Sequence, residues 1–163
     1  TYGDYCGSSY SVAMQDLYAV QVWQTPMPWP LHYAVHTWFV VSYRYQIDRF
    51  EVWATLGSFT GSALVQNATA PYVGFRTSFF DRVVNPRKIG VATKVGEVSG
   101  TVGSEAYELY QSVYHSMTEY PFKLRYRMWP GPNSNTYVQW VLAKHPNIDI
   151  VLPWNAFGKK YRS

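Results

Sequence analysis

Between residues 17 and 55 apolar side chains alternate with period two, and between residues 104 and 142 they recur with the 3.6-residue period of a helix. Strict alternation buries one face of a strand, and i, i+3, i+4, i+7 spacing buries one stripe of a helix. Strands first and helices later confine the chain to the α+β class, a mostly antiparallel sheet with two helices packed on it. The first run, Leu17–Gln24, sets Tyr18, Val20 and Val22 against Ala19, Gln21 and Trp23. Pro26, Pro28 and Pro30 then break regular structure. His32–Ser42 is the second run, with His36, Trp38 and Val40 on one face and Val35, Thr37, Phe39 and Val41 on the other. Tyr45–Thr55 is the third, with Phe50, Val52 and Ala54 opposite Glu51 and Trp53. Short connections favour antiparallel neighbours.

Residues 56–78 carry only short apolar pieces punctuated by Gly57, Gly61, Pro71 and Gly74. Phe79–Val84 and Gly90–Val98 supply one or two further strands. Ser104 reads as a helix N-cap, followed by the stripe Ala106, Leu109, Tyr110, Val113, Tyr114 and Met117. Pro121 stops that helix. A second helix follows Pro132, with Tyr137, Val138, Val141 and Leu142 as its apolar stripe, and Pro146 ends it. The length, 163 residues, fits one domain over 1–163, with residues 1–16 as a polar arm.

Composition narrows the function classes. Charged residues are 15% and aromatics 18% of the chain, which excludes disorder and coiled coil. No apolar run of about 18 residues exists, so no segment spans a membrane as a helix. The net charge of +4 comes from scattered Lys and Arg, against a specific nucleic-acid interface. Cys6 is the sole cysteine, so neither an internal disulfide nor a Cys-based zinc site can form. It reads as an idle thiol more readily than as a nucleophile. His32 and His36 are four apart on a strand, more than roughly 10 Å from each other, so no metal and no cofactor is expected. Asn67-Ala68-Thr69 is a glycosylation sequon. A start at Thr1 rather than Met points to processing, hence to an exported protein of the cell envelope or periplasm.

The segment Trp129-Pro130-Gly131-Pro132-Asn133-Ser134-Asn135-Thr136 concentrates polar side chains at a helix start. Two readings stay open there. Asn and Ser are ordinary caps, and Pro before a helix is ordinary too. Alternatively Ser134 is a nucleophile, with His36 as general base, Glu51 orienting it, and backbone N–H groups near Asn135 as an oxyanion hole. His36 sits mid-strand, where burial demands a partner, and Glu51 taken alone should face solvent. Lys123, Arg125 and Arg127 alternate with Leu124, Tyr126 and Met128. If extended, they form a basic wall beside the helix start. Asn133, Asn135, Arg125, Arg127 and Trp129 are the candidate binding residues.

The heptapeptide Pro130–Thr136 resembles the signature of a bacterial family of unknown function with a Pro-Gly-Pro-Asn-Ser-Asn-Thr motif. Ala34-Val35-His36-Thr37-Trp38 is similar to that family's His-containing strand, and Leu152-Pro153 through Gly158-Lys159 to its ending. The resemblance spans about residues 18–161. A more distant one is to circularly permuted papain-like hydrolases, which show Asn-Cys followed by an aromatic and a valine. Here Asn133-Ser134 precedes Tyr137-Val138, with serine in place of the cysteine. That resemblance implies an amide or ester hydrolase, or an acyltransferase, acting on a small-molecule or peptide substrate. The competing expectation is a non-catalytic binding or accessory subunit of an envelope or membrane-associated assembly, meeting a protein partner through an aromatic-rich surface. A carbohydrate binder is a third, since Tyr and Trp suit sugar faces.

Overall fold

The computed structural model describes residues 16–28, 30–55, 62–74 and 91–162. Five strands form one sheet: β1 (Tyr18–Pro26), β2 (Val35–Tyr43), β3 (Gln46–Ala54), β4 (Ser62–Gln66) and β5 (Thr93–Gly100). Their order is β4-β3-β2-β1-β5, and every neighbouring pair is antiparallel. Two helices follow, α1 (Glu105–Glu119) and α2 (Ser134–Leu142). α1 lies mainly against β1 and β5, and α2 against β2 and β3. The chain is an α+β domain, as the change of period requires.

Register assigns the faces. Val22 pairs with Phe39, Val20 with Val41, and Phe39 with Phe50, so these side chains share one face. They meet Leu109 and Val113 of α1 and Tyr137, Val138 and Val141 of α2 in one core. Ser104 caps α1 through its hydroxyl, as its position suggests. A buried hydrogen bond between Ser116 Oγ and Tyr137 Oη, 2.8 Å, ties the two helices. The opposite face is covered as well. β2 is buried from Val35 to Val41 without interruption, because residues 69–73 lie over its His36–Trp38–Val40 side. Trp38 Nε1 donates to Pro71 O at 2.9 Å, and the Arg49 guanidinium reaches Ala70 O and Val73 O.

Three elements differ from expectation. The second strand starts at Val35, not His32. Residues 30–34 turn back instead, closed by Met27 N–H to Ala34 O and Ala34 N–H to Leu31 O. β4 lies inside the stretch whose short apolar pieces carry no clear period. The last strand, expected over Gly90–Val98, starts three residues later and ends two later. The N-terminal arm, Cys6 and the expected strand Phe79–Val84 lie outside the described residues, apart from Asp16. At the sequon, Asn67 has φ 55° and its carboxamide bonds Arg49 N–H and Asp48 Oδ1. Among the described residues, no helix is long and apolar enough to cross a membrane.

Phe39 is fully buried between sheet and helices, and its ring meets Tyr137 edge-on at 5.8 Å. Phe39→Ala should therefore cost about 3–5 kcal/mol of unfolding free energy in urea. Val151→Ala, at a side chain 75% exposed, should stay within about 0.5 kcal/mol.

Candidate functional site

The start of α2 is a junction of three chain segments. Asn133 has extended backbone and caps the helix, its Oδ1 accepting from the N–H groups of Asn135 and Thr136. Thr136 Oγ1 accepts from Asn133 N–H and donates to Gly158 O. The two Asn133 amide hydrogens go to Met128 O and Phe157 O, at 2.9 and 3.1 Å. Those of Asn135 go to Val35 O and Phe157 O, at 2.9 and 2.8 Å, while Thr37 Oγ1 donates to Asn135 Oδ1 at 2.9 Å. A carboxamide has two donor hydrogens, so both asparagines are saturated as donors. The motif therefore stitches α2 to β2 and to residues 155–161. Gly131 (φ 119°) and Gly158 (φ 92°) have positive φ, and a Cβ on Gly158 would collide with the Asn133 carboxamide.

The other polar cluster is on the far face of the sheet. His36 Nε2 lies 2.7 Å from Glu51 Oε2, and Arg49 Nη2 donates to the same oxygen at 2.8 Å. The Arg49 guanidinium stacks 4.0 Å from the Trp38 ring centroid. All four side chains are buried, so Glu51 does not face solvent as its residue type suggests. Burial alone would raise the Glu51 carboxyl, but hydrogen bonds from His36 and Arg49 hold it down at about 2. Burial pushes His36 below its ordinary value, against the pull of Glu51. Near neutral pH His36 is thus a neutral donor, and Arg49 supplies the charge that balances Glu51.

The structure brings His36 and Glu51 together but sets Ser134 apart from them. Thr37 reaches α2, so its strand neighbour His36 points to the opposite face. The sheet stands between Ser134 and the imidazole, and the expected nucleophile–base pair does not form. The Asn135 N–H, expected in an oxyanion hole, is already committed to Asn133 Oδ1. The basic wall is also corrected. Residues 121–124 turn rather than extend, Arg125 N–H bonds back towards Phe122 O, and Arg127 N–H bonds Pro132 O. Arg125 and Arg127 are exposed at this turn, while the Lys123 ammonium caps Thr118 O. Among the described residues no group of three or more His, Cys, Asp or Glu gathers in a way that could hold a metal ion.

Ser134 instead lines an apolar cavity of about 300 Å³ with Met27, Leu31, Tyr33, Tyr126, Met128 and Phe157. Exposed apolar side chains line it: Trp129 is 76% exposed, Tyr33 54% and Met128 48%. Trp154, 78% exposed, lines a second cavity that shares Trp129 and Phe157. Phe157 joins them, its ring 6.2 Å from Tyr33 and 6.3 Å from Trp154. Sequence reasoning missed Arg49, Thr37 and Phe157. Arg49 was discoverable, because it stands two residues from Glu51 and so shares its face. Phe157 acts through its carbonyl, for which a side-chain pattern has no signal.

Among the described residues, an antiparallel five-stranded sheet with two helices, closed by a C-terminal strap over residues 152–161, defines the class of domain. Residues 17–161 match the model of DUF3750, a family of proteins of unknown function, and the chain belongs to that family. No curated protein and no solved structure matches it.

Asn135→Ala leaves Val35 O and Thr37 Oγ1 without this partner and Phe157 O with the Asn133 amide alone, and should cost about 3 kcal/mol in urea unfolding. Ser134→Ala should stay within about 1 kcal/mol. Stability should also fall with acid in two stages. His36 is depressed from 6.5, so below that pH the unfolded chain takes up the proton first. Glu51 sits at about 2 against 4.5, so the same loss recurs as pH falls from 4.5 towards 2. His145 is depressed by burial too and adds to the first stage. The melting temperature should be highest above about pH 7, and His36→Gln should flatten its decline between about pH 7 and 5.

Proposed function

We propose that this chain is a non-catalytic binding or accessory domain of an envelope or membrane-associated assembly, with the aromatic face around Trp129 and Trp154 as its contact surface. The observation that carries this reading is that face itself. Two tryptophans, a tyrosine and a methionine stand in solvent along two cavities that share Trp129 and Phe157, where isolated domains normally keep such a patch covered. The polar side chains that suggest catalysis have structural work instead. Asn133, Asn135 and Thr136 tie the strap, and His36 and Glu51 brace the far face. Ser134 lines the cavity, but His36 cannot serve it as a base from across the sheet.

A fluorophosphonate probe tests this directly. No labelling of the folded chain is expected. Labelling of Ser134 that disappears in Ser134→Ala would overturn the non-catalytic reading in favour of an amide or ester hydrolase with another base. In parallel, the apolar dye anilinonaphthalene sulfonate should bind the wild type. Its fluorescence should drop at least twofold in Trp129→Ser/Trp154→Ser; an unchanged signal argues against the face as a contact surface.

A further inference from the structure

The charges around the aromatic face single out a partner. Between residues 120 and 162 the chain has seven Lys and Arg against one acid, Asp149, a local excess larger than the +4 of the whole chain. Three of the seven are occupied. Lys123 caps Thr118 O, Lys144 pairs with Glu119, and the Lys159 ammonium is held by Leu152 O and Pro153 O. Arg125, Arg127, Lys160 and Arg162 are exposed, and none of them forms an ion pair among the described residues.

Two of these cations, Lys160 and Arg162, line concavities at the aromatic corner. A cavity of about 330 Å³ is lined by Trp129, Trp154, Phe157 and Lys160. Lys160 also edges a neighbouring groove of about 840 Å³ that contains Trp140, Val151, Tyr161 and Arg162. Arg127 stands two residues before Trp129 in the chain. No Asp or Glu lines either concavity, or the one beside Tyr33. Apolar rings at the centre and uncommitted cations at the rim match the layering of an anionic bilayer surface. Indole settles at the headgroup level, where its ring is buried and its N–H stays wet, and Lys and Arg lie against acidic headgroups. A nucleic acid would require a denser basic stripe along the groove.

We propose that the Trp129–Trp154 face docks on membranes containing anionic phospholipid, with both indoles in the headgroup layer and Arg127, Lys160 and Arg162 on the phosphates. This rests on the reading of the same face as a contact surface. The chain docks as a peripheral domain, through side chains already outside the core, and no refolding is needed.

Co-sedimentation of the full chain with vesicles tests the proposal. It should pellet with vesicles of phosphatidylcholine mixed with phosphatidylglycerol, not with phosphatidylcholine alone, and added salt should release it. Arg127→Gln and Lys160→Gln should each weaken binding about fivefold. Trp129→Ser/Trp154→Ser should abolish it while the circular dichroism spectrum and melting temperature hold. Equal binding to both vesicles, binding to neither, or binding that survives the double tryptophan change would overturn the proposal. Soluble polyglutamate separates the two levels. If the chain binds polyglutamate but no vesicle, lipid is the wrong partner and the contact surface stands. If it binds neither and the dye signal ignores the tryptophans, both readings fall.

Discussion

The carboxamide of Asn135 joins three segments that are far apart in the chain. It donates to Val35 O on β2 and Phe157 O on the strap, and accepts from Thr37. Asn133, two residues earlier, donates to the same Phe157 carbonyl. Buried polar groups are costly when unmet, so these bonds fix where α2 can begin, and with it where Tyr137 and Val138 enter the core. The cavity beside Ser134 and the rim of exposed aromatics are by-products of that placement. If the amides are removed, the strap that presents Phe157, Trp154 and Lys160 keeps Thr136 Oγ1 to Gly158 O, Val35 N–H to Asn155 O, Asn155 Nδ2 to Tyr33 O and the buried Leu152 and Ala156, but loses both donors to Phe157 O.

The sheet divides the polar chemistry into two compartments. On the helix side, amides and hydroxyls bond backbone carbonyls. On the far side, Arg49 balances the charge of Glu51 and His36 hydrogen-bonds the same carboxylate, under the 69–73 loop. A buried ion pair is weak support for stability in itself. Here it also anchors a loop, because the guanidinium that balances Glu51 is the one that binds Ala70 O and Val73 O. Low overall charge and abundant aromatics then have separate origins. Some rings fill the core, as Phe39 and Tyr137 do, and others, Trp129 and Trp154, stand outside it.

Much of the fold was legible because period is a local property. Alternation in 17–55 assigned the faces of β1, β2 and β3 correctly, and the stripe from Ala106 to Met117 placed α1. β4 escaped because Ser62–Gln66 is short and follows glycine-rich sequence. The extended basic wall failed because turn bonds at Phe122 and Pro132 override alternation over so few residues. The site was legible in pieces only. The His36–Glu51 contact follows from adjacent strands, and the importance of Asn133–Thr136 follows from its density of polar residues. Their separation by the sheet does not follow from composition. It depends on Thr37, not His36, facing α2, and a single strand read alone has no preferred side.

The strap has a further consequence for how the chain matures. Phe157 and Gly158 come after every strand and helix in order of synthesis, yet their carbonyls complete the hydrogen bonds of Asn133, Asn135 and Thr136. Until those residues leave the ribosome, the start of α2 has unmet amides at what will become a buried position. The sheet and α1 can assemble on the nascent chain, but the corner that presents Trp129 cannot close. The corner around Trp129 and Trp154 is thus the last part of the domain to close.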